Sequence, residues 1–490
     1  MNKKVTVIGA GFSGISAATG LADKGFDVTV LEKNSTAGGR ARKFSADGFT
    51  FDMGPSWYWM PDVFDSYFAS FGKKVSDYYD LQRLDPSYRI FFGKEDIVDL
   101  PADLDKIAEL FESFEKGAGQ KLKIFLAEAE FKYEVAMKDF VSKPSLSFLE
   151  YADMRLLKAA LRMHMFTSFH HYTRKYFSHP RLLQMLEFPI LFLGGTGKKT
   201  PALYSLMNYG DMKLGTWYPR GGMFKVVEAM VNLAEEKGVK FVFNAPVTKF
   251  IFNGSSITET IAGDKSYPTD YVVATGDYHH IEQELLPVHF RKYSEKYWES
   301  RVMSPASLLW YVGLNKKLEH FLHHTLLFDE EFAPHAGSIY EKPGWPEKPS
   351  IYVSVTSKSD PHVAPEGHEN IFFLIPVAPG LQDSPEIMDK YFSLILRRVE
   401  KMTGENLEKH IVFRRPYSHT DFIADYNAFK GNAYGLANTL LQTAFLKPSA
   451  KSSKVKNLVY AGQLTVPGPG VPPAIISGQI ATRLIVETEK

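Results

Sequence analysis

The chain has 490 residues, 57 basic against 56 acidic, and a formal net charge of +1, so its overall charge draws it neither to nucleic acid nor to an acidic tail. The lack of cysteine excludes disulfides, cysteine-ligated zinc, iron–sulfur clusters and thiol catalysis, which leaves any redox work to a bound organic cofactor. The length suffices for two intimately connected domains, or one large domain with insertions.

The first element is an apolar strand, Val5 to Ile8, followed by Gly9-x-Gly11-x-x-Gly14 and a helix from Ile15 to Lys24. A buried parallel strand reads as a continuous apolar run, and the turn after it must bring backbone N–H groups against a pyrophosphate at a helix N-terminus. Gly9 makes the tight turn, Gly11 removes the Cβ that would strike the phosphates, and Gly14 lets the helix pack closely on the sheet. The next strand, Asp27 to Leu31, ends at Glu32, where a carboxylate accepts hydrogen bonds from ribose hydroxyls and repels a 2′-phosphate. A second paired-glycine turn, Gly38-Gly39-Arg40, suggests a longer dinucleotide with further contacts, which favours FAD over NAD. Lys3-Lys4 and the apolar run behind them superficially resemble a secretory signal, but the glycine spacing and Asp23-Lys24-Gly25 argue for a cytoplasmic protein that keeps this strand.

A loop dense in glycine, proline and aromatics, Phe49 to Pro61, follows; its Trp57-Tyr58-Trp59 is expected to line a substrate channel beside the cofactor, with a place in the core as the alternative. Residues 62–141 read as mostly helical, with charges alternating around Leu104, Ile107, Leu110 and Phe111. From 151 to 182, Arg155, Lys158, Arg162, Arg174, Lys175 and Arg181 face one acidic residue, Asp153, and are interleaved with apolar and aromatic side chains. A basic helix with such a face suits a membrane interface; an amphipathic helix packed on the core is the alternative. No run approaches the roughly 18 apolar residues of a spanning helix.

Gly215 to Met223, a helix Val226 to Lys237, strands Val239 to Phe243 and Pro246 to Ile251, a hairpin and Tyr271 to Ala274 read as a chain returning to complete the nucleotide-binding sheet. Residues 290–446 read as mixed strands and helices, with apolar strands such as Ile371 to Val377. The last segment repeats the strand–glycine–helix pattern: Leu458 to Ala461, Gly462, the Pro-Gly-rich run to Pro473, and a helix from Ala474 to Val486. The expected fold is α/β. It has a Rossmann-like FAD-binding domain with a parallel sheet (1–70, 205–285 and 450–490), a helical membrane-associating insertion (71–204) and a mixed-sheet substrate domain (286–449). The pairs His170-His171, His279-His280 and His323-His324 are read as surface or core residues rather than metal ligands, and Asp277 as a turn residue.

End to end, this arrangement resembles the bacterial and fungal type of phytoene desaturase, within the FAD-dependent carotenoid desaturase and isomerase family. The marks are Gly9-x-Gly11-x-x-Gly14, Glu32, Gly38-Gly39-Arg40, Asp52-Met53-Gly54-Pro55-Ser56, Tyr218 to Met223, Ala364-Pro365-Glu366-Gly367 and the Pro-Gly-rich end. One departure is Gln463-Leu464-Thr465-Val466, where many members carry Gly-Thr-His before the final Pro-Gly. The resemblance implies FAD, a tunnel opening on the membrane, and repeated desaturation of a long isoprenoid polyene, phytoene to lycopene. A hydroxycarotenoid 3,4-desaturase, a carotenoid isomerase, a flavin amine oxidase and a flavin-free escort of prenylated proteins are the alternatives. The cofactor contacts expected are Gly9, Gly11, Gly14, Glu32, Gly38, Gly39, Arg40, Gly54, Pro55, Val247, Gly462, Gln463, Val471 and Pro472. No catalytic residue is assigned, because a hydrocarbon gives an acid or base nothing to grip and the work falls to holding one C–C unit against the flavin. Such a substrate enters from lipid, since each buried CH₂ is worth about 0.8 kcal/mol, which places the protein peripherally on the inner face of the cell membrane, without nucleic acid.

Overall fold

A computed structural model describes residues 2–151, 162–191 and 195–490. In chain order the strands are β1 Lys4–Ile8, β2 Asp27–Leu31, β3 Lys43–Ala46, β4 Phe49–Asp52, β5 Leu81–Arg83, β6 Tyr88–Gly93, β7 Asp96–Leu100, β8 Trp217–Pro219, β9 Lys240–Val242 and β10 Val247–Asn253. They continue with β11 Ser256–Ala262, β12 Lys265–Pro268, β13 Tyr271–Ala274, β14 Ala306–Leu314, β15 His324–Leu327, β16 Ile351–Ser354, β17 Glu369–Val377, β18 Ile411–Tyr417 and β19 Leu458–Tyr460. The helices used below are α1 Phe12–Asp23, α2 Pro61–Ala69, α3 Leu104–Phe114, α4 Ala118–Val135, α5 Pro180–Leu191, α6 Phe224–Glu236, α7 Pro385–Thr403 and α8 Val471–Thr488.

Two sheets organise the molecule. The first is five-stranded and parallel, in the order β19-β13-β1-β2-β9, with Val5 opposite both Tyr271 and Val28. Its central strand is buried on both faces: Val5 and Val7 pack with α1 and α8, and Ile8 packs the other way with Phe250 and Ile257 of the three-stranded antiparallel sheet β10-β11-β12. On one face α1 lies against α8 so closely that a Cβ on Gly478 would stand 2.4 Å from the Ser13 carbonyl oxygen, and Ser16 Oγ donates to Ile475 O at 2.8 Å. The chain returns to this sheet at Tyr271 and again in the last segment, whereas the strand expected from Pro246 to Ile251 and the hairpin after it belong to the separate sheet β10-β11-β12.

The second sheet is seven-stranded and mixed, in the order β18-β14-β17-β16-β15-β6-β7, with β6 and β15 parallel and the other pairs antiparallel. All nine residues of β14 are buried, and their alternation decides which core each one enters. Leu308, Trp310 and Val312 pack with Ile371, Phe373 and the α7 residues Tyr391, Phe392 and Ile395. Leu309 and Tyr311 point the opposite way, with Tyr352, Phe372 and Leu374, into the large core shared with the nucleotide-binding sheet. We call the second the inner face.

Residues 81–100 differ from the helical reading of 62–141. They form β5, β6 and β7, and β6 joins the mixed sheet beside β15 through Thr325 opposite Arg89. The span 71–204 thus contributes strands to the substrate sheet as well as the helices α3, α4 and α5. The alternating charges that suggested a helix are cross-strand partners here: Arg89 holds Asp99 with two bonds of 2.7 and 2.8 Å.

Candidate active site

The glycine fingerprint is assembled at the C-terminal edge of the parallel sheet. Gly9 has φ +100° and donates to Leu31 O at 2.8 Å, while a Cβ on Gly14 would stand 2.0 Å from the Gly9 carbonyl oxygen. Gly11 is different. It caps α1 in ordinary extended backbone, φ −79°, and a Cβ there would meet nothing within 4 Å. Gly9 and Gly14 are required by the fold itself; the glycine at 11 leaves open space in front of a helix N-terminus, where a pyrophosphate fits.

The second glycine pair lies directly on the first. Gly38, φ +113°, donates to Ala10 O at 2.8 Å, and a Cβ on Gly39 would come 3.3 Å from the Gly11 Cα. Arg40 is thereby carried to the same place. One of its terminal nitrogens reaches Asn432 O at 3.3 Å, its guanidinium lies 5.0 Å over the Tyr426 ring, and its Nε is buried without a partner. Burial pushes its pKa down, and the nearby charge of Asp277 offsets the lost hydration of the cation only in part. An idle buried guanidinium donor beside an open glycine turn is what a diphosphate satisfies, and the residues fit a dinucleotide on that ground.

Glu32 is buried, accepting from Ala10 N–H and Asn34 N–H at 2.8 Å each; every carboxylate oxygen keeps a second lone pair for a ribose hydroxyl. Val247 opens β10, two residues after Ala245, which donates to Glu32 O at 2.8 Å, so it lies at the ribose end. Gly54 packs on Arg40: a Cβ there would stand 2.2 Å from the Arg40 carbonyl oxygen. With Pro55 it starts a loop that reaches the inner face, where Tyr311 donates to Met53 O at 2.7 Å. At the other end of the chain Gly462, φ +114°, donates to Ser477 Oγ at 2.9 Å and would put a Cβ 3.5 Å from Ser13 Oγ. Gln463 donates to Asn432 Oδ1 at 2.9 Å, and Val471 and Pro472 open α8.

Two residues missed in the sequence tie these parts together. Asn432 joins Arg40 to Gln463 through its backbone and side-chain oxygens, and Thr275 Oγ1 donates to Ile8 O and Gly9 O at 2.8 and 3.0 Å. Thr275 had a signal, as a polar residue directly after the apolar strand β13; Asn432, in an unremarkable loop, had none. Asp277 is a turn residue as read, accepting from His280 N–H at 3.2 Å, and its second oxygen accepts from Phe429 N–H at 3.2 Å.

Trp57 stacks on His324 with ring centroids 4.0 Å apart and planes 9° apart. His324 is on the inner face; its Nδ1 shares a 2.7 Å bond with Tyr352 Oη, which is 2.7 Å from Ser56 Oγ. Burial pushes His323 down to about 3 and His324 well below the usual imidazole range, so both imidazoles are neutral at physiological pH. Trp57 also meets Phe188, 6.2 Å between centroids, and Phe188 meets Phe328 at 5.9 Å. These last two line a cleft of about 510 Å³ between α5 and residues 328–341, with Leu183 and Phe332 on its walls and Arg174 and Glu341 on its rim.

The basic aromatic segment is partly outside the described residues, which omit Asp153, Arg155, Lys158 and Leu161. In its described part Phe169, Tyr172 and Phe177 are buried in the main core, Arg174 pairs with Glu187 at 2.6 Å, and Arg181 pairs with Asp96. Among the described aromatic residues of this segment Phe166 stands out, 79% exposed. Among the described residues no helix is long and apolar enough to cross a membrane.

Residues 12–486 match the family described as flavin containing amine oxidoreductase. The chain is 44% identical over 485 residues to the carotenoid 3,4-desaturase of Haloarcula japonica, covering 99% of this chain and 98% of that protein. It is 29% identical to the zeta-carotene-forming phytoene desaturase of Myxococcus xanthus, covering 99% and 94%. Among solved structures, putrescine oxidase bound to putrescine superimposes with a TM-score of 0.62 at 16% identity, covering 99% of both chains, which shows a shared fold.

Proposed function

Since the chain belongs to the flavin-containing amine oxidoreductases, and within them is an FAD-dependent carotenoid desaturase, we propose that it inserts the 3,4 double bond into the end of an already conjugated acyclic carotenoid. The observation that carries this reading is the contrast in similarity: 44% identity to a carotenoid 3,4-desaturase against 29% to a zeta-carotene-forming phytoene desaturase, each over nearly the whole chain. Conversion of phytoene to lycopene, the first expectation, rests on the lower of those two figures and stands second.

FAD, when bound, supplies the hydride acceptor. The chain's own contribution is to hold both partners and keep water out. Gly9, Gly11, Gly14 and Arg40 would take the pyrophosphate, Glu32 a ribose, and residues 462–472 the flavin end. The inner face, with Trp57 and Phe188 leading to the cleft, offers flat aromatic surfaces to a polyene and orients it by shape rather than by hydrogen bonds. His324, Tyr352 and Ser56 form a neutral hydrogen-bonded chain within this apolar surround, able to relay a proton but not to keep it, because a proton held on His324 would be a buried charge.

The reading extends to a lipid surface as the place of work. Leu146, Leu149, Phe166 and Leu441 are exposed, at 44%, 79%, 79% and 77%, and the first three flank residues 152–161 on either side in sequence. A water-insoluble substrate gives that apolar rim a purpose.

To test the reaction, FAD-loaded protein is incubated in vesicles with phytoene or with a coloured acyclic carotenoid saturated at C3–C4. The expected product comes from the coloured substrate alone, lighter by two hydrogens and absorbing at longer wavelength. Conversion of phytoene to a coloured product, with the other substrate untouched, would reverse the order of the two readings. The same assay exposes an isomerase, whose product keeps its mass, and an amine oxidase or escort, which leaves both pigments unchanged.

A further inference from the structure

Lys447 is buried, 4% exposed, and among the described residues its ammonium has a single hydrogen-bond partner, Asn438 Oδ1 at 2.9 Å. Nζ lies 2.7 Å from the point where a Cβ on Gly468 would stand, and Gly468, φ +137°, belongs to the loop between Gly462 and α8. That loop cannot drift from the lysine. Thr465 Oγ1 donates to Pro448 O at 2.6 Å, and Ser477 Oγ donates to Val466 O at 2.7 Å. Among the described residues no carboxylate pairs with Lys447, and lost hydration alone pushes its pKa down to about 7.

A buried ammonium facing an amide and a glycine loop is unfavourable as a cation until a negative charge joins it. FAD carries negative charge in two places. The pyrophosphate belongs with Gly9, Gly11 and Arg40, at the start of α1. The other place is the isoalloxazine ring after reduction: a hydride brings two electrons and one proton to a neutral ring and leaves it with one negative charge. Residues 462–472 are the part of the cradle assigned to that end, and the N-terminus of α8 adds partial positive charge on the same side.

We propose that Lys447 supplies the positive charge that stabilises the two-electron-reduced flavin, so that it raises the reduction potential of the bound cofactor. No bond to the lysine forms or breaks; it acts by charge alone. The proposal rests on FAD as the cofactor and on the flavin lying at residues 462–472, and is independent of which carotenoid is desaturated.

Sulfite provides a readout that needs no substrate, because its electron pair adds to the oxidised ring and leaves the same negative charge there. Full-length protein loaded with FAD is titrated with sulfite, following loss of the flavin's visible absorption, and its two-electron potential is measured. Lys447→Met is expected to weaken sulfite binding at least tenfold and to lower the potential by about 30 mV for each tenfold, with Lys447→Arg restoring most of both. A Lys447→Met protein that holds FAD and takes up sulfite as tightly as the wild type overturns the proposal. Should that variant lose FAD, the wild type decides: its bound flavin is expected above the potential of free FAD, and a value at or below it is equally fatal. Failure to desaturate any carotenoid leaves these measurements intact and counts only against the substrate assignment.

Discussion

At the scale of single residues, the three fingerprint glycines separate into two kinds. Gly14→Ala forces a Cβ to 2.0 Å from backbone oxygen and is expected to prevent folding, giving insoluble protein or none. Gly11→Ala places its Cβ in empty space with φ −79°, so the apoprotein should melt within a degree or two of the wild type while FAD affinity falls at least tenfold. Isothermal titration with FAD, beside melting curves of both apoproteins, checks the pair; a Gly11→Ala protein that binds FAD normally removes the pyrophosphate from that position. The spacing marked Gly9 and Gly14 because each answers to a local backbone requirement, and Gly11, Glu32 and Arg40 followed from their distance along the chain from those two. Asn432 escaped notice for the opposite reason: its partners, Arg40 and Gln463, are brought to it by the fold, and no pattern around it records them.

At the scale of elements, the strands of the nucleotide sheet were legible as apolar runs, whereas β6 and β7 were concealed by charge. Ile90 and Val98 face the core, but Arg89, Glu95, Asp96 and Asp99 break the run and imitate a solvated helix. Tyr88 at the start of β6 donates to Asp211 Oδ2 at 2.9 Å, a buried carboxyl that desolvation pushes up to about 7. The sign follows from proton counting. Between pH 4 and 7 the folded protein keeps a proton that an unfolded aspartate loses, so this group costs stability progressively as pH rises through that window, and the cost is constant above it. Asp211→Asn is therefore expected to match the wild type near pH 4 and to be more stable by about 1–3 kcal/mol at pH 8. Melting curves of the two proteins across this range should diverge only between those values; a constant gap from pH 4 upward contradicts the assignment.

At the scale of the whole molecule, the two-sheet arrangement was legible because the mixed strands of 290–446 lie between returns to the cofactor. The cleft was not, since α5 and residues 328–341 meet only through tertiary packing. The exposed rim at Leu149 and Phe166 gives the membrane reading its measurable form. Burying one such side chain is worth about 1.5–3 kcal/mol, so Leu149→Glu with Phe166→Glu should lower the fraction floating with anionic vesicles at least tenfold and leave FAD content unchanged. Equal flotation of the double variant and the wild type would place the lipid contact elsewhere.

The order β19-β13-β1-β2-β9 has a consequence for synthesis. The strand β1, which leads into the first glycines, is made well before two of its sheet-mates: its neighbour β13 begins at Tyr271 and the edge strand β19 at Leu458. At about 5–20 residues per second, about 20 to 90 seconds separate the first half of the nucleotide cradle from the last. During that interval the apolar strand β1 has no complete sheet to enter, and FAD has no complete site. Uptake of the cofactor is thus a late event in the life of each molecule, and free FAD in the cell should govern how much of the finished protein survives rather than how fast it is made.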